Sequence, residues 1–181
     1  MNLPNKITLL RVILVPVFVV LMLLPQGIIP YKNIISCVIF CVACISDFFD
    51  GYLARKWKLV TNFGKFMDPL ADKLLVCSAL IIFVELGYIP SWAVVIIIGR
   101  EFIVSGIRLI AADNGTVIAA NMLGKIKTNA QMFMSIFMIL NIDNNVFKII
   151  TLVLMYASVA LTIISLIEYT YSNRKLFLDG K

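Results

Sequence analysis

Residues 47–72 read DFFDGYLARKWKLVTNFGKFMDPLAD, with two aspartates at each end and a basic segment between them. Apolar stretches adjoin this segment on both sides, at about residues 33–55 and 66–87. Each is close to the ~20 residues that an α-helix needs to cross a bilayer. Because the connection between the stretches is short, we predict two antiparallel helices whose aspartates lie near one membrane surface.

Four more apolar stretches accompany this pair, so that six are found at about residues 7–25, 33–55, 66–87, 92–111, 123–141 and 146–170. The chain of 181 residues is 61% apolar and 14% charged, whereas soluble domains carry about a quarter charged residues. Much of its surface must therefore face lipid. We predict an all-α integral membrane protein with six transmembrane helices, forming a single domain over residues 1–181.

The basic residues indicate the orientation, because lysine and arginine are enriched in cytoplasmic loops. Only Lys32 and Lys148 fall on one side, and Arg100 lies within a stretch. The other basic residues lie on the opposite side: Lys6, Arg11, Arg55, Lys56, Lys58, Lys65, Lys73, Arg108, Lys125, Lys127, Arg174, Lys175 and Lys181. Both termini and the acidic segment are thus expected in the cytoplasm. This placement fits a membrane surface and excludes nucleic acid as the partner of the +6 chain.

The acidic residues form two faces at helical spacing. Asp47 and Asp50 share a face of the second helix, and Asp68 and Asp72 share a face of the third. Gly64 shares the face of Asp68 and Asp72, and Pro69 fits this third helix if the helix starts only a few residues earlier, with proline in about its first turn. Four clustered carboxylates repel one another unless cations balance them. Two Mg²⁺ or Mn²⁺ ions suit an all-oxygen site, and the chain has no histidine to offer instead.

Small residues and an arginine lie on the same two faces. Gly51 and Ala54 follow Asp50, and Gly64 precedes Asp68 by one turn. Small side chains let a ligand approach the helix backbone, although they equally permit close helix–helix packing. Arg55 offers a planar fork for a phosphate group. These residues favour a phosphate-bearing ligand beside the metal site.

The spacing D-x2-D-G-x2-A-R-x8-G-x3-D-x3-D over residues 47–72 resembles the signature of the CDP-alcohol phosphatidyltransferase family, with every fixed position present. Softer similarity to its bacterial phosphatidylglycerophosphate synthase branch comes from residues 2–11, 65–73, 99–101 and 123–128. The resemblance covers essentially the whole chain. It implies a multi-pass enzyme of the bacterial cytoplasmic membrane, with its site facing the cytoplasm and homodimers in keeping with the family.

The same resemblance implies a reaction in which CDP-diacylglycerol and sn-glycerol 3-phosphate give phosphatidylglycerophosphate and CMP. It implies one metal on Asp47, Asp50 and Asp68, and a second on Asp47, Asp68 and Asp72. Asp72 would be the general base. The CDP-lipid would contact Gly51, Ala54, Arg55 and Gly64.

A phosphate-bearing acceptor needs cations outside this acidic motif. The candidates in or beside apolar stretches are Arg11, Arg100, Arg108, Lys125 and Lys127. An alternative for Arg100 is an internal ion pair with Glu101 or Glu85. For Lys125 and Lys127 the alternative is anchoring at the membrane surface.

Two other functions fit parts of the pattern. The same chemistry could use serine, inositol phosphate or phosphatidylglycerol as acceptor, the last giving cardiolipin. A small cation transporter would also place aspartates within the membrane. However, the aspartates gather at one membrane face, and a transporter has no need of the Gly-x-x-Ala-Arg element.

Overall fold

The computed structural model describes residues 3–56, 62–113, 115 and 121–174, without the side chains of residues 3–7, 47–56, 62–69 and 72. Within these residues the protein forms six α-helices and no strand. Each helix overlaps one predicted apolar stretch: α1 Leu3–Leu23, α2 Lys32–Lys56, α3 Asn62–Glu85, α4 Ser91–Asp113, α5 Met122–Leu140 and α6 Asn145–Ser172. The prediction of an all-α protein with six helices is therefore confirmed.

The α6 helix is long and apolar enough to cross a membrane. It has 28 residues, and its most apolar window has a mean hydropathy of 2.4 with only 28% of that window buried. A core helix of a soluble protein would be mostly buried, so this exposed apolar surface fits a lipid environment. Elsewhere in the described residues, shorter apolar runs occupy Thr8–Leu23 and Lys32–Ser46. The crossing of all six helices stays a prediction.

The chain divides into two compact units, the first of which comprises Met1–Tyr88 and Met138–Asn141. Its helix α1 packs against α2 and α3, and α2 also contacts α3. Phe18 and Phe40 meet in the core with ring centroids 5.8 Å apart, and both are almost fully buried. Close packing of such side chains holds helices together even where lipid replaces water.

Lys32 stabilises the connection between α1 and α2. Its ammonium group donates hydrogen bonds to the carbonyl oxygens of Met22, at 3.3 Å, and Leu24, at 2.6 Å. The last carbonyls of a helix have no partner within the helix, so a lysine here satisfies them. Gly27 adopts a φ of 97° in the intervening turn, a conformation that glycine adopts without strain. Lys32 therefore orders the entry into the helix that bears Asp47 and Asp50.

Pro69 departs from the expected position at a helix start. Since α3 begins at Asn62, Gly64 lies on this helix as predicted, whereas Pro69 is its eighth residue and lies beyond the first turn in which it was expected. The helix begins before the apolar stretch, at Asn62-Phe63-Gly64-Lys65, which the hydrophobic pattern did not assign to it. Proline has no N–H to donate, so one main-chain hydrogen bond is missing near the acidic residues of α3.

The second unit comprises Ile89–Phe137 and Ile142–Lys181. Helix α4 packs against α6, where Val104, Ile107 and Tyr169 form a buried cluster bordered by Leu166. Asn121 precedes α5, and its side-chain oxygen accepts a hydrogen bond of 2.9 Å from the Gly124 amide. This bond satisfies one of the free amides of the first turn, as an N-cap does.

Candidate active site

The aspartates lie in helical segments of the first unit. Asp47 and Asp50 belong to the second half of α2, and Asp68 and Asp72 to the first half of α3. The two helices contact each other and both pack on α1. Continuous helix keeps each pair of aspartates on one face. Their side chains lie outside the described residues, so their convergence on a metal stays a prediction.

The donor set itself suits the predicted ions. Carboxylate oxygens are the ligands that Mg²⁺ and Mn²⁺ prefer in proteins. Among the side chains that the structure describes, no group of three or more Asp, Glu, Cys or His residues could hold a metal. The side chains of the four aspartates are not described, so this finding does not bear on them. The surroundings of Gly51, Ala54, Arg55 and Gly64 are outside that description too, so the CDP-lipid contacts stay predictions.

Arg11 is fully buried within the first unit. Its Nε donates a hydrogen bond of 3.2 Å to the main-chain carbonyl of Ala43. Ala43 lies one helical turn before Asp47, so this arginine contacts the part of α2 that leads into the acidic motif. The guanidinium has further donors. A contact between Arg11 and an acceptor phosphate stays a prediction.

Arg100 and Lys127 share one carboxylate in the second unit. Nη1 of Arg100 lies 3.2 Å from Oε1 of Glu101, and Nζ of Lys127 contacts the same oxygen. The exposed fractions of the Arg100 and Lys127 side chains are 8% and 1%, against 23% for Glu101. The alternative of an ion pair between Arg100 and Glu101 is confirmed. The three groups together carry one net positive charge, so pairing does not remove their attraction for an anion.

Two further contacts orient the Arg100 guanidinium. Its Nε donates a hydrogen bond of 3.2 Å to the Ser165 hydroxyl, and that hydroxyl donates to the Thr162 carbonyl at 3.1 Å. A Cβ atom placed on Gly124 would lie 3.2 Å from Nη2 of Arg100 and 2.8 Å from the Asn121 side-chain oxygen. Helices α4, α5 and α6 therefore all contribute to the position of this arginine.

Arg108 and Lys125 are more open to their surroundings. Nε of Arg108 donates a hydrogen bond of 3.2 Å to the Tyr169 hydroxyl, and the guanidinium carbon lies 5.7 Å from the centre of the same ring. Tyr169 is buried and Arg108 is exposed. The tyrosine therefore holds the Nε side of the guanidinium, while the other N–H donors of Arg108 remain accessible. Lys125 is exposed in the first turn of α5.

Sequence reasoning did not single out the polar residues that support these cations. Ser165 and Tyr169 are buried on α6 beside Arg100 and Arg108. Asn121 contacts the Glu168 carboxylate through its side-chain amide and thereby links the start of α5 to α6. One available signal was the spacing of Ser158, Thr162, Ser165 and Tyr169, which gives an apolar helix one polar face. Polar groups within an apolar helix indicate partners inside the protein.

Known proteins similar to this chain agree with the sequence motif. A sequence model of the CDP-alcohol phosphatidyltransferase family matches residues 1–164. A Bacillus subtilis protein is 54% identical over 72% of each chain. Two others are a Haemophilus influenzae protein, 40% identical over 99% of this chain and 97% of its own, and a Salmonella paratyphi A protein, 39% identical over 98% of each. All three are named CDP-diacylglycerol–glycerol-3-phosphate 3-phosphatidyltransferase.

The described residues form helices, one of which is long and apolar enough to cross a membrane. Together with the complete signature of eight residues, they define a membrane-bound transferase. The chain belongs to the CDP-alcohol phosphatidyltransferase family. The resemblance predicted from residues 47–72 is confirmed.

Proposed function

We propose that the protein transfers the phosphatidyl group of CDP-diacylglycerol to sn-glycerol 3-phosphate, giving phosphatidylglycerophosphate and CMP in anionic phospholipid biosynthesis. The main support for this proposal is the similarity of the chain, at 39–40% identity over nearly its whole length, to relatives named for that reaction. The Arg100 and Lys127 pair supports it, because a buried pair of cations with net positive charge suits an acceptor that brings a phosphate group.

The acidic motif supplies the reacting centre in this proposal. Asp47, Asp50, Asp68 and Asp72 would hold two Mg²⁺ or Mn²⁺ ions, which when bound stabilise negative charge on the diphosphate and on the departing CMP. Asp72 accepts the proton of the acceptor hydroxyl while the hydroxyl oxygen attacks the β-phosphorus of CDP-diacylglycerol. The new bond joins that oxygen to phosphorus, while the bond from phosphorus to CMP breaks. No covalent enzyme intermediate is required.

The nucleotide and the acceptor are held by different groups. Gly51, Ala54 and Gly64 leave room for the CDP moiety beside the helix backbone, and Arg55 binds its phosphates.

The acceptor's own phosphate is bound by cations outside the acidic motif: Arg100, Lys127, Arg108, Lys125 and Arg11. Separate cations for this group are expected, since a phosphate dianion is repelled by a site rich in carboxylates. Correct placement of both substrates then accounts for much of the catalysis.

The membrane arrangement is also proposed. Helices of 19–28 residues are about the length of a bilayer crossing, and the distribution of basic residues favours cytoplasmic termini and a cytoplasmic site. Alkaline phosphatase or green fluorescent protein fused to either terminus would report its side of the membrane. Homodimers are expected from the family resemblance, and light scattering of the detergent-solubilised protein would measure that state.

An acceptor panel tests the proposed reaction. Purified protein is supplied with CDP-diacylglycerol, Mg²⁺ and one acceptor at a time: glycerol 3-phosphate, serine, inositol phosphate or phosphatidylglycerol. Among these four acceptors, we expect only glycerol 3-phosphate to support CMP release, with phosphatidylglycerophosphate as the lipid product. Preferred turnover of another acceptor would reassign the substrate within the family. A lack of CMP release with every acceptor would contradict the transferase activity and leave the cation transporter to be tested.

A further inference from the structure

A carboxylate lies between two buried cations in the second unit. Oε1 of Glu101 contacts both Nη1 of Arg100 and Nζ of Lys127. Two hydrogen-bond donors on one oxygen are at most about 6 Å apart, which is close for two positive charges in a poorly hydrated site. Glu101 is therefore what allows the two cations to lie side by side.

We infer that Glu101 is a positioning residue for the acceptor, holding Arg100 and Lys127 at the spacing at which both reach its phosphate. The inference rests on the proposed function, in which these two cations bind that phosphate. Glu101 cannot bind the phosphate itself, because a carboxylate repels a phosphate dianion. Its effect on the acceptor must pass through the cations.

The remaining contacts of Arg100 support this role. Nε is held by Ser165 and Nη1 by Glu101, while Nη2 lies toward Gly124, where a side chain would crowd it. The guanidinium is thus restrained at two of its nitrogens and kept clear of a side chain at the third. Lys127 has a flexible stem and a single nitrogen, so its position depends more strongly on the shared carboxylate.

Three variants test the inference through acceptor kinetics. Glu101→Gln removes the charge and keeps the shape, whereas Glu101→Asp keeps the charge and shortens the reach. Asp143→Asn is the matched control, since Asp143 is an exposed carboxylate that pairs with Lys148 at 2.6 Å. We expect Glu101→Gln to raise the KM for glycerol 3-phosphate roughly tenfold or more. Glu101→Asp should give a smaller rise, and Asp143→Asn none.

The KM for CDP-diacylglycerol distinguishes positioning from general damage, and it should stay within about twofold of the wild-type value in every variant. An unchanged or lowered acceptor KM in Glu101→Gln would overturn the inference, as would equal rises for both substrates. If Glu101→Gln does not fold, Glu101→Asp decides: a selective rise in acceptor KM supports positioning and an unchanged KM contradicts it.

A double-mutant cycle tests whether Glu101 acts through Lys127. The effect of Glu101→Gln should be at least about threefold smaller in a Lys127→Met background, because the cation that it holds is gone. Equal effects in both backgrounds would refute the coupling. Wild-type turnover of glycerol 3-phosphate separates this inference from the proposed function. If the wild type works only with serine, the proposed function and the inference both fail. If the wild type turns over glycerol 3-phosphate normally and the Glu101→Gln variant has the same KM, the inference alone is refuted.

Discussion

Replacement of Arg100 by methionine provides a direct test of the division between the two substrate sites. Methionine keeps much of the length of the arginine stem, so the buried space stays largely filled. The change removes the hydrogen bond to Ser165 and the ion pair with Glu101. Glu101 keeps Lys127 as its partner, and Ser165 keeps its bond to the Thr162 carbonyl. No buried carboxylate loses its only described partner.

The expected magnitudes separate binding from folding. Hydrogen bonds to charged groups contribute ~1.5–3 kcal/mol each. Their loss within the protein is offset by the removal of repulsion between Arg100 and Lys127, about 3 kcal/mol at 6 Å with an effective dielectric constant of 20. Because two such contacts are lost, the net decrease in the free energy of unfolding should be at most about 3 kcal/mol. The acceptor loses a charge-assisted bond with no such compensation, and its KM should rise roughly 10–150-fold.

The assay measures CMP release in mixed micelles while each substrate is varied in turn. Lys148→Met is the matched control, because it removes an exposed cation whose partner is Asp143. The Tm of Lys148→Met should stay close to that of the wild type, and Arg100→Met should remain folded with an equal or moderately lower Tm. Equal rises in the KM of glycerol 3-phosphate and of CDP-diacylglycerol, or no rise in either, would refute the assignment of Arg100 to the acceptor.

Three other changes address the metal site, the base and the core. Chelation with EDTA should abolish CMP release, and Mg²⁺ or Mn²⁺ should restore it; activity that survives dialysis against EDTA would contradict the metal assignment. Asp72→Asn should lower kcat by at least about 100-fold while metal-dependent CDP binding persists, and full activity would reject Asp72 as the base. Phe18→Ala should lower the free energy of unfolding by roughly 3 kcal/mol, because it leaves a cavity beside Phe40; an unchanged Tm would contradict that packing.

The prediction of the family from sequence succeeded because spacing along single helices was sufficient for it. The eight fixed residues between Asp47 and Asp72 identify the family, because their chemistry depends on type and interval along two helices. The six helices followed from apolar stretches of the right length. The start of α3 did not, because Asn62, Gly64 and Lys65 interrupt the apolar pattern in its first turn.

By itself, the sequence determined the helical class and the family, and it supplied the cations that we propose for the acceptor. Only the tertiary structure decided what those cations touch. Sequence distance does not reveal that Lys127 shares a carboxylate with Arg100, or that Ser165 and Tyr169 fix the two arginines of α4. Such pairs depend on how helices far apart in the chain are packed and rotated, which is set by side-chain packing over whole helix faces. The candidate cations were visible in the sequence, whereas their contacts with Glu101, Ser165 and Tyr169 required the fold.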